Sequence, residues 1–585
     1  MPRTIETDNS PADSLGKVIF ADDGARVILA KRLGLLSRPD KDHWRQVKHN
    51  ASRTVYRGVV DGAKIFLKHF HSRSLLHRLT RAVGLSDARS EMRFMLYLRS
   101  HGVPTAQPLA TMCDKSVEWL ATRAVTPSEQ ADQWHIRQLS RGRAGRQAIQ
   151  QAIVVLAKTI GRMHAVGVIH QDLHCGNILI RTDSDAVDLA VSDLHRARRR
   201  RRLSRRAMAA NLAQLYYDRF QFTTRSERLR FLKHYLRASG AAGTLRGWQF
   251  MIEHFAHLHK HRQYAQRNRR VTGNNQYFHS IKLPGGWRGH VVLASKRWMA
   301  GSLAAKLVFD TEAWRSVLAK PAALLQGGDA EIIKDSGSGL IVRRRLTVGR
   351  NEVEVFIKRP RRKHLWKVLV DCLRPARPIR AFKLGHMLLT RRIATSLPLA
   401  SLERRCGPFL LDSILITEAV HATPLNKFLN TWLARPPRGD TPLTVPQQRR
   451  LGQQVLWQLG KLLQRLHDNH FAHRDLKAAN LLISWSPGAS PEVVLLDLDG
   501  LRCKRRITMR NRFQGLMRLN VSLLESNVVN HAGRLRMLLG YLRRPGSGRI
   551  HFKPYWRLLE RWSARKLRDQ IRSRRRRQKA VRRPG

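Results

Sequence analysis

Two stretches of the chain carry the same short set of reactive side chains. HQDLHCGNILI runs from His170 to Ile180, and HRDLKAANLLI from His473 to Ile483. Each places a carboxylate, Asp172 or Asp475, two residues after a histidine and five before an amide, Asn177 or Asn480. Each is followed by an apolar strand that ends in a second carboxylate, Asp193 in VSDLHRAR and Asp497 in LLDLDGLR. A carboxylate that can orient a hydroxyl proton, beside amide and carboxylate oxygens suited to a hard divalent cation such as magnesium, is the equipment of phosphoryl transfer. That reaction needs positioning and charge neutralisation more than covalent help.

A cation for nucleotide phosphates is available upstream of each loop. Lys68 lies in the apolar strand KIFLKHF and Lys358 in VEVFIKRP. A lone lysine on such a strand is ordinarily a solvated edge residue; its place ahead of a matched H-x-D-x-x-x-x-N loop, at kinase spacing, gives it a nucleotide to hold. Glu91, in the helical pattern SEMRFMLYLRSHG, is expected to orient Lys68 through an ion pair. The second copy has Ala381 at the matching position, and RAFKLGHMLL around it offers no carboxylate. Two residues after the base the second copy has Lys477, placed to meet the nucleotide and the transferred phosphate. The first has His174, a weaker electrostatic partner at neutral pH. His170 and His473 are expected to brace their loops, and His164 and His467 to pack at helix ends. Cys175 reads as a small filler.

The elements that must position these groups are repeated too. GVPTAQPLA (Gly102 to Ala110) returns as RIATSLPLA (Arg392 to Ala400), at the same separation as the two lysines. The catalytic loops are farther apart than that, so the second copy is longer in between. The Pro-rich WLARPPRGDTPLTVP, from Trp432 to Pro446, is the natural place for the extra loop. Phosphate-covering segments are expected at KDSGSGLIV (Lys334 to Val342) and at KHNASRTVYRG, where Asn50, Ser52 and Arg53 stand in for glycines. Internal duplication on this scale predicts an α+β chain of two tandem protein-kinase-like bilobal domains, each with a small β-rich lobe and a larger helical lobe. Residues 1–262 form the first, 263–570 the second, and 571–585 a disordered basic tail, with Trp287 in the strand-rich start of the second small lobe.

Composition agrees with two packed cores. A chain of 585 residues with 42% hydrophobic residues is long enough for both. The N-terminus is too polar for a signal peptide, and no apolar run is long enough to span a membrane. Five scattered cysteines argue against zinc and against a disulfide framework, which leaves the cytoplasm as the expected compartment. With 109 Lys plus Arg against 42 acids, the net charge is +67. Peaks lie at Arg196 to Arg206 and at Arg572 to Arg583. Such a surface attracts polyanions, here an anionic membrane face or a phosphorylated glycolipid ahead of nucleic acid.

SDLHRARRR, followed by RRAMAANLAQLYYDRF, is similar to the segment after the metal aspartate in bacterial heptose kinases. LITEAV (Leu415 to Val420), HRDLKAANLLI and LLDLDGLR look like another branch of the same group. The chain therefore resembles the bacterial lipopolysaccharide kinase family, which includes the Kdo and core-heptose kinases. The absence of an A-P-E motif after either metal aspartate separates it from ordinary protein kinases. The resemblance implies ATP with magnesium, and phosphorylation of a sugar hydroxyl on lipopolysaccharide core at the cytoplasmic membrane face. Two other readings are a sugar or small-molecule kinase of the aminoglycoside-phosphotransferase type, and a pseudokinase scaffold that binds polyanions.

Overall fold

The structure is a computed structural model. It describes residues 18–581 apart from 51, 72–85, 114–116, 182–186, 220–221, 295–306, 362–371, 373, 433–442, 527 and 545–549. The Pro-rich insertion expected between Trp432 and Pro446 lies mostly outside the described residues. The chain divides into two compact units, 1–262 and 263–585.

The first unit opens with an antiparallel sheet built from β1 (Val18–Phe20), β2 (Trp44–Asn50), β3 (Arg53–Val60), β4 (Ala63–Phe70), β5 (Pro108–Cys113) and β6 (Glu118–Arg123), in the order β1-β5-β6-β4-β3-β2. Alternation along β4 decides which residue meets the cleft. Ile65 and Leu67 are buried in a core with Leu29 and Leu36, from the short helices α1 (Asp23–Leu29) and α2 (Leu33–Ser37). Lys68, one residue on, points to the opposite face and reaches α3 (Asp87–Ser100). Two contacts anchor the N-terminus of α3: Ser86 accepts from the Arg89 amide, and buried Glu118 on β6 accepts from the Ala88 amide at 2.8 Å. Orphan N–H groups at a helix start need such partners.

The larger lobe of this unit is helical. β7 (Ser128–Gln130) leads into α4 (Ala131–Leu139) and α5 (Gly142–Ala165), which ends just before β8 (Val168–Ile169) and the first catalytic loop. After β9 (Ile178–Arg181), β10 (Leu189–Val191) and β11 (Arg198–Arg199) come α6 (Arg205–Arg219), α7 (Arg225–Ser239) and α8 (Leu245–Arg270). The boundary between the units falls inside α8, which is continuous across it.

The second unit repeats the plan with additions. Its sheet has seven strands: β12 (Phe278–Leu283), β13 (Trp287–Val292), β14 (Glu331–Ser336), β15 (Gly339–Val348), β16 (Asn351–Pro360), β17 (Pro398–Cys406) and β18 (Phe409–Glu418), in the order β12-β13-β17-β18-β16-β15-β14. Trp287 begins β13, which pairs with β17 as β1 pairs with β5 in the first unit. Two helices flank this sheet along the chain, α9 (Thr311–Val317) and α10 (Arg377–Thr390). Buried Glu403 on β17 accepts from the Ala376 amide at the start of α10, as Glu118 does for α3. The helical lobe holds β19 (Thr423–Pro424), α11 (Leu425–Trp432), α12 (Val445–Asp468), β20 (Phe471–His473), β21 (Leu481–Ser484), β22 (Glu492–Leu495), β23 (Leu501–Cys503), α13 (Met509–Leu524) and α14 (His531–Leu542).

The last described element is α15 (Lys553–Val581), so residues 571–581 of the basic segment 571–585, expected to be disordered, are the last part of a helix. Its N-terminal half explains why: Leu559 and Ser563 are buried against the lobe, and the helix propagates from that anchor. Arg-rich sequence is itself helix-compatible.

Candidate active site

Each catalytic loop is held by a histidine acting on two backbone groups at once. The Asp172 amide donates to His170 Nδ1 at 3.1 Å, and His170 Nε2–H donates to the Ser192 carbonyl at 2.9 Å. In the second unit the Asp475 amide donates to His473 Nδ1 at 3.2 Å, and Nε2–H donates to the Asp497 carbonyl at 2.6 Å. Burial holds both imidazoles below their ordinary pKa, so they stay neutral and keep this donor–acceptor pattern. One ring thus ties the base-bearing turn to the residue at, or just before, the metal aspartate.

The amides follow the same geometry. Asn177 Nδ2 donates to the Asp172 carbonyl at 2.9 Å, and Asn480 Nδ2 to the Asp475 carbonyl at 2.8 Å. This commits the amide nitrogen and not the oxygen. Both aspartates at the base position are open to solvent: the Asp172 side chain is 68% exposed and that of Asp475 61%. His174 stands 3.6 Å from Asp172, and Lys477 stands 3.1 Å from Asp475. The His174 hydrogen bond lowers the pKa of Asp172, and Asp172 in turn raises that of His174.

In the first unit Lys68 and Glu91 form a 2.5 Å ion pair, with Glu91 fully buried. Glu91 Oε1 also accepts from the Leu194 amide at 3.2 Å, so it links β4, α3 and the metal-aspartate turn. Arg53 departs from its expected place. Lying at the start of β3, it turns into the cleft and grips Asp193 with both guanidinium nitrogens, each at 2.5 Å. His195 adds a third contact to the same carboxylate at 2.7 Å. Burial alone would raise the Asp193 pKa, but Arg53, His195 and the charge of Lys68 hold it well below the usual carboxylate range. Asp193 adopts a left-handed backbone, φ 66°, which aspartate tolerates better than most residues.

The second unit solves the same problem with other residues. Ala381 is buried on α10 where α3 carries Glu91, and α10 carries no carboxylate. One acid that feels the charge of Lys358 is Asp499, two residues after Asp497 and in the position of His195. Asp499 is open at the cleft mouth but hemmed in by protein. Burial and then Asp497 raise its pKa, while Lys358, Arg377 and Arg380 pull it back down. Its amide donates to Asp497 Oδ1 at 3.0 Å. At the hairpin, Gly339 occupies the place of Arg53: Gly339 pairs with Pro360 as Arg53 pairs with Phe70. With φ 151° and an added Cβ only 2.7 Å from the Arg359 carbonyl, that position excludes larger residues.

The donor sets suit a hard divalent cation. Glu91, Asp193 and His195 bring ligand atoms within 4.8 Å of one another. The second unit offers Asp497 with Asn480 from the loop. Residues 196–206 are ordered beside the first cleft. Arg198 and Arg199 pair with β8, Arg199 lies 4.1 Å over the Tyr97 ring of α3, and the Arg200 amide bonds the Gly167 carbonyl. Gly167 has φ 80° and an added Cβ would sit 2.0 Å from the Arg200 carbonyl, so only glycine permits this approach.

Sequence reasoning missed Asp499, and it missed the helix face that braces each loop. On α6, Asn211 donates to the His170 carbonyl, while Gln214 and Asp218 accept from the Leu173 and Cys175 amides. On α13 the corresponding work falls to Arg518 and Ser522. The signal was present: three polar residues at helical spacing in RRAMAANLAQLYYDRF, all on one face. Cys175 is buried, which pushes its thiol up to about 12 and leaves it inert.

Known proteins complete the picture. No curated protein matches the chain. Among solved structures, one described as WaaP in complex with acyl carrier protein is 24% identical over 41% of this chain and 98% of that chain, with a TM-score of 0.33. A crystal structure of aminoglycoside-3'-phosphotransferase of type VIII is 17% identical over 39% of this chain and 98% of that one, with a TM-score of 0.27. The model of the lipopolysaccharide kinase (Kdo/WaaP) family matches twice, over residues 41–235 and 342–541, each segment containing one of the two lysines, one H-x-D-x-x-x-x-N loop and the aspartate that follows it. The two matches together take in well over half of the sequence, and the chain, a phosphotransferase acting on a hydroxyl, belongs to the lipopolysaccharide kinase (Kdo/WaaP) family.

Proposed function

We propose that the protein uses ATP and magnesium to phosphorylate a sugar hydroxyl of lipopolysaccharide core, heptose or Kdo, at the cytoplasmic face of an anionic membrane. ATP supplies the phosphoryl group and the divalent cation offsets its charge. In the first unit, Lys68 held by Glu91 is the cation for the nucleotide phosphates. Asp172, exposed and ionised, accepts the hydrogen bond of the acceptor hydroxyl and receives its proton. Asn177 and Asp193 present oxygens to the metal. In the second unit Lys358, Asp475, Asn480 and Asp497 take these parts, with Lys477 beside the base to meet the transferred phosphate. The observation that carries this reading is the recurrence, in two separately folded units, of an exposed base aspartate whose loop is clamped to its metal aspartate by one neutral histidine. Exposed arginines of the 196–206 segment lie directly after the first metal aspartate, where an anionic sugar lipid would approach.

ATP turnover by the purified chain with Asp172→Ala, Asp475→Ala and both tests the assignment. Two active units predict partial loss in each single variant and abolition in the double. Turnover that survives the double change removes these residues from the reaction. Mass spectrometry of lipopolysaccharide from cells with and without the gene tests the acceptor, with loss of a core phosphate expected.

A further inference from the structure

The grip of Arg53 on Asp193 puts a protein cation where the first unit would hold its metal. Both guanidinium nitrogens engage both carboxylate oxygens in a parallel fork, the geometry that makes arginine–carboxylate pairs strong and specific. The pair is little exposed, with 11% of the Arg53 side chain and 15% of the Asp193 side chain open to solvent. Arg53 opens β3 at the β2–β3 hairpin, whereas Asp193 follows β10 in the helical lobe. At the matching position of the second unit Gly339 has no side chain to make this contact.

We propose that Arg53 is an intramolecular competitor for the divalent metal of the first unit. It latches the hairpin onto Asp193 when the site is empty. It is released when the metal enters, and can then meet the nucleotide phosphates. Resting on the ATP reading above, this makes the first unit the one that demands more metal, and leaves the second, with glycine, unlatched.

The test uses the full chain carrying Asp497→Asn, so that only the first unit keeps its metal carboxylate. Mn2+ is titrated without nucleotide, so that Arg53 has no phosphate to meet, and bound ion is read by electron paramagnetic resonance. Arg53→Gln should lower the half-saturating Mn2+ about tenfold, the factor equivalent to about 1.4 kcal/mol. Arg53→Lys, which keeps the charge but not the fork, should fall between. An Arg53→Gln chain with native circular dichroism and an unchanged or higher half-saturation overturns the latch. A second measurement needs no variant: in the natural chain, Mn2+ alone should increase modification of Arg53 by phenylglyoxal, read by peptide mass spectrometry. Modification that ignores Mn2+ also overturns it. A parent chain that binds no nucleotide would count against the ATP reading instead, and the latch would then stand or fall on the two Mn2+ results.

Discussion

His174 and Lys477 occupy the same place in their loops, and the imidazole is the group whose ordinary pKa lies near neutrality. Hydrogen bonding to Asp172 raises the His174 pKa above its ordinary value of about 6.5. The positive charge is therefore complete below about pH 6.5 and disappears as the pH climbs through the raised value. Asp172, with its pKa lowered, is ionised across that whole range, so the base itself does not titrate. The Asp475→Asn chain, which isolates the first unit, should lose several-fold in turnover from pH 6 to pH 8.5, while the Asp172→Asn chain keeps a flat profile. Parallel profiles would remove His174 from any contact with phosphate. A second prediction concerns Asp499. If its charge stands in for the missing helix glutamate, Asp499→Asn should cut second-unit turnover at least about tenfold, about 1.4 kcal/mol at the transition state. The same change added to Lys358→Ala should cost little more, because the two residues act as one pair. Additive losses in that cycle would separate them.

Elements, not residues, decide where these groups stand. Arg534 on α14 is 1% exposed and bonds Glu560 of α15 at 2.6 Å, while Asn520 of α13 donates to Ser563 of α15 at 2.8 Å. Arg534 also reaches Asn520 Oδ1, so one buried cation ties α13, which bonds the second loop, to α14 and α15. Glu560→Ala leaves that cation without its anion and should cost about 3 kcal/mol in chemical denaturation of the second unit. That is the low end for a broken buried pair, because the Glu560 side chain is 33% exposed. A loss under about 1 kcal/mol would make the pair an ordinary surface contact. This level also sets what sequence alone made legible. The lysine strands, the glutamate helix and both loops could be read because each is a short segment whose chemistry and period lie within a dozen residues. Arg53 and Asp499 could not. Arg53 meets Asp193 across 140 positions, and nothing local in KHNASRTVYRG says that the side chain turns away from the phosphates. Asp499 reads as a loop acid until the fold brings it into the field of Lys358, Arg377 and Arg380. The end of α15 was misread for a related reason: its arginines look like a solvated tail unless Leu559 and Ser563, buried a few turns earlier, are known to anchor the helix.

At the scale of the whole molecule, acid should act on both units through the same buried device. His164 is buried at the end of α5 with Nδ1 on the Tyr235 hydroxyl at 2.8 Å, and Nε2 on Asn211 at 2.9 Å. His467 ends α12 with Nδ1 on the Tyr541 hydroxyl at 3.1 Å. In place of an asparagine it meets Gly515, where an added Cβ would lie 3.0 Å from Nε2. Burial lowers both pKa values to about 4, so the neutral rings are the folded form. Since the folded value lies below the unfolded one, the unfolded chain binds the extra proton first. Stability is therefore intact above about pH 6.5 and drains away as the pH falls toward 4, by roughly 3 kcal/mol for each ring. The net charge of +67 pushes in the same direction, because each proton taken up adds to the self-repulsion of an already cationic chain. Salt separates the two causes: added sodium chloride screens repulsion beyond about 8 Å at physiological ionic strength but leaves the desolvation of a buried imidazole untouched. Circular dichroism from pH 8 to pH 4 should show unfolding that begins below about pH 6.5 and persists in salt. Replacing His164 and His467 together by glutamine, which keeps hydrogen-bonding capacity but does not titrate, should move the salt-resistant part of that transition to lower pH. A transition that salt alone abolishes would assign acid sensitivity to the arginine surface, and a salt-resistant one that ignores the double replacement would assign it to other buried imidazoles such as His386, which burial lowers to about 3.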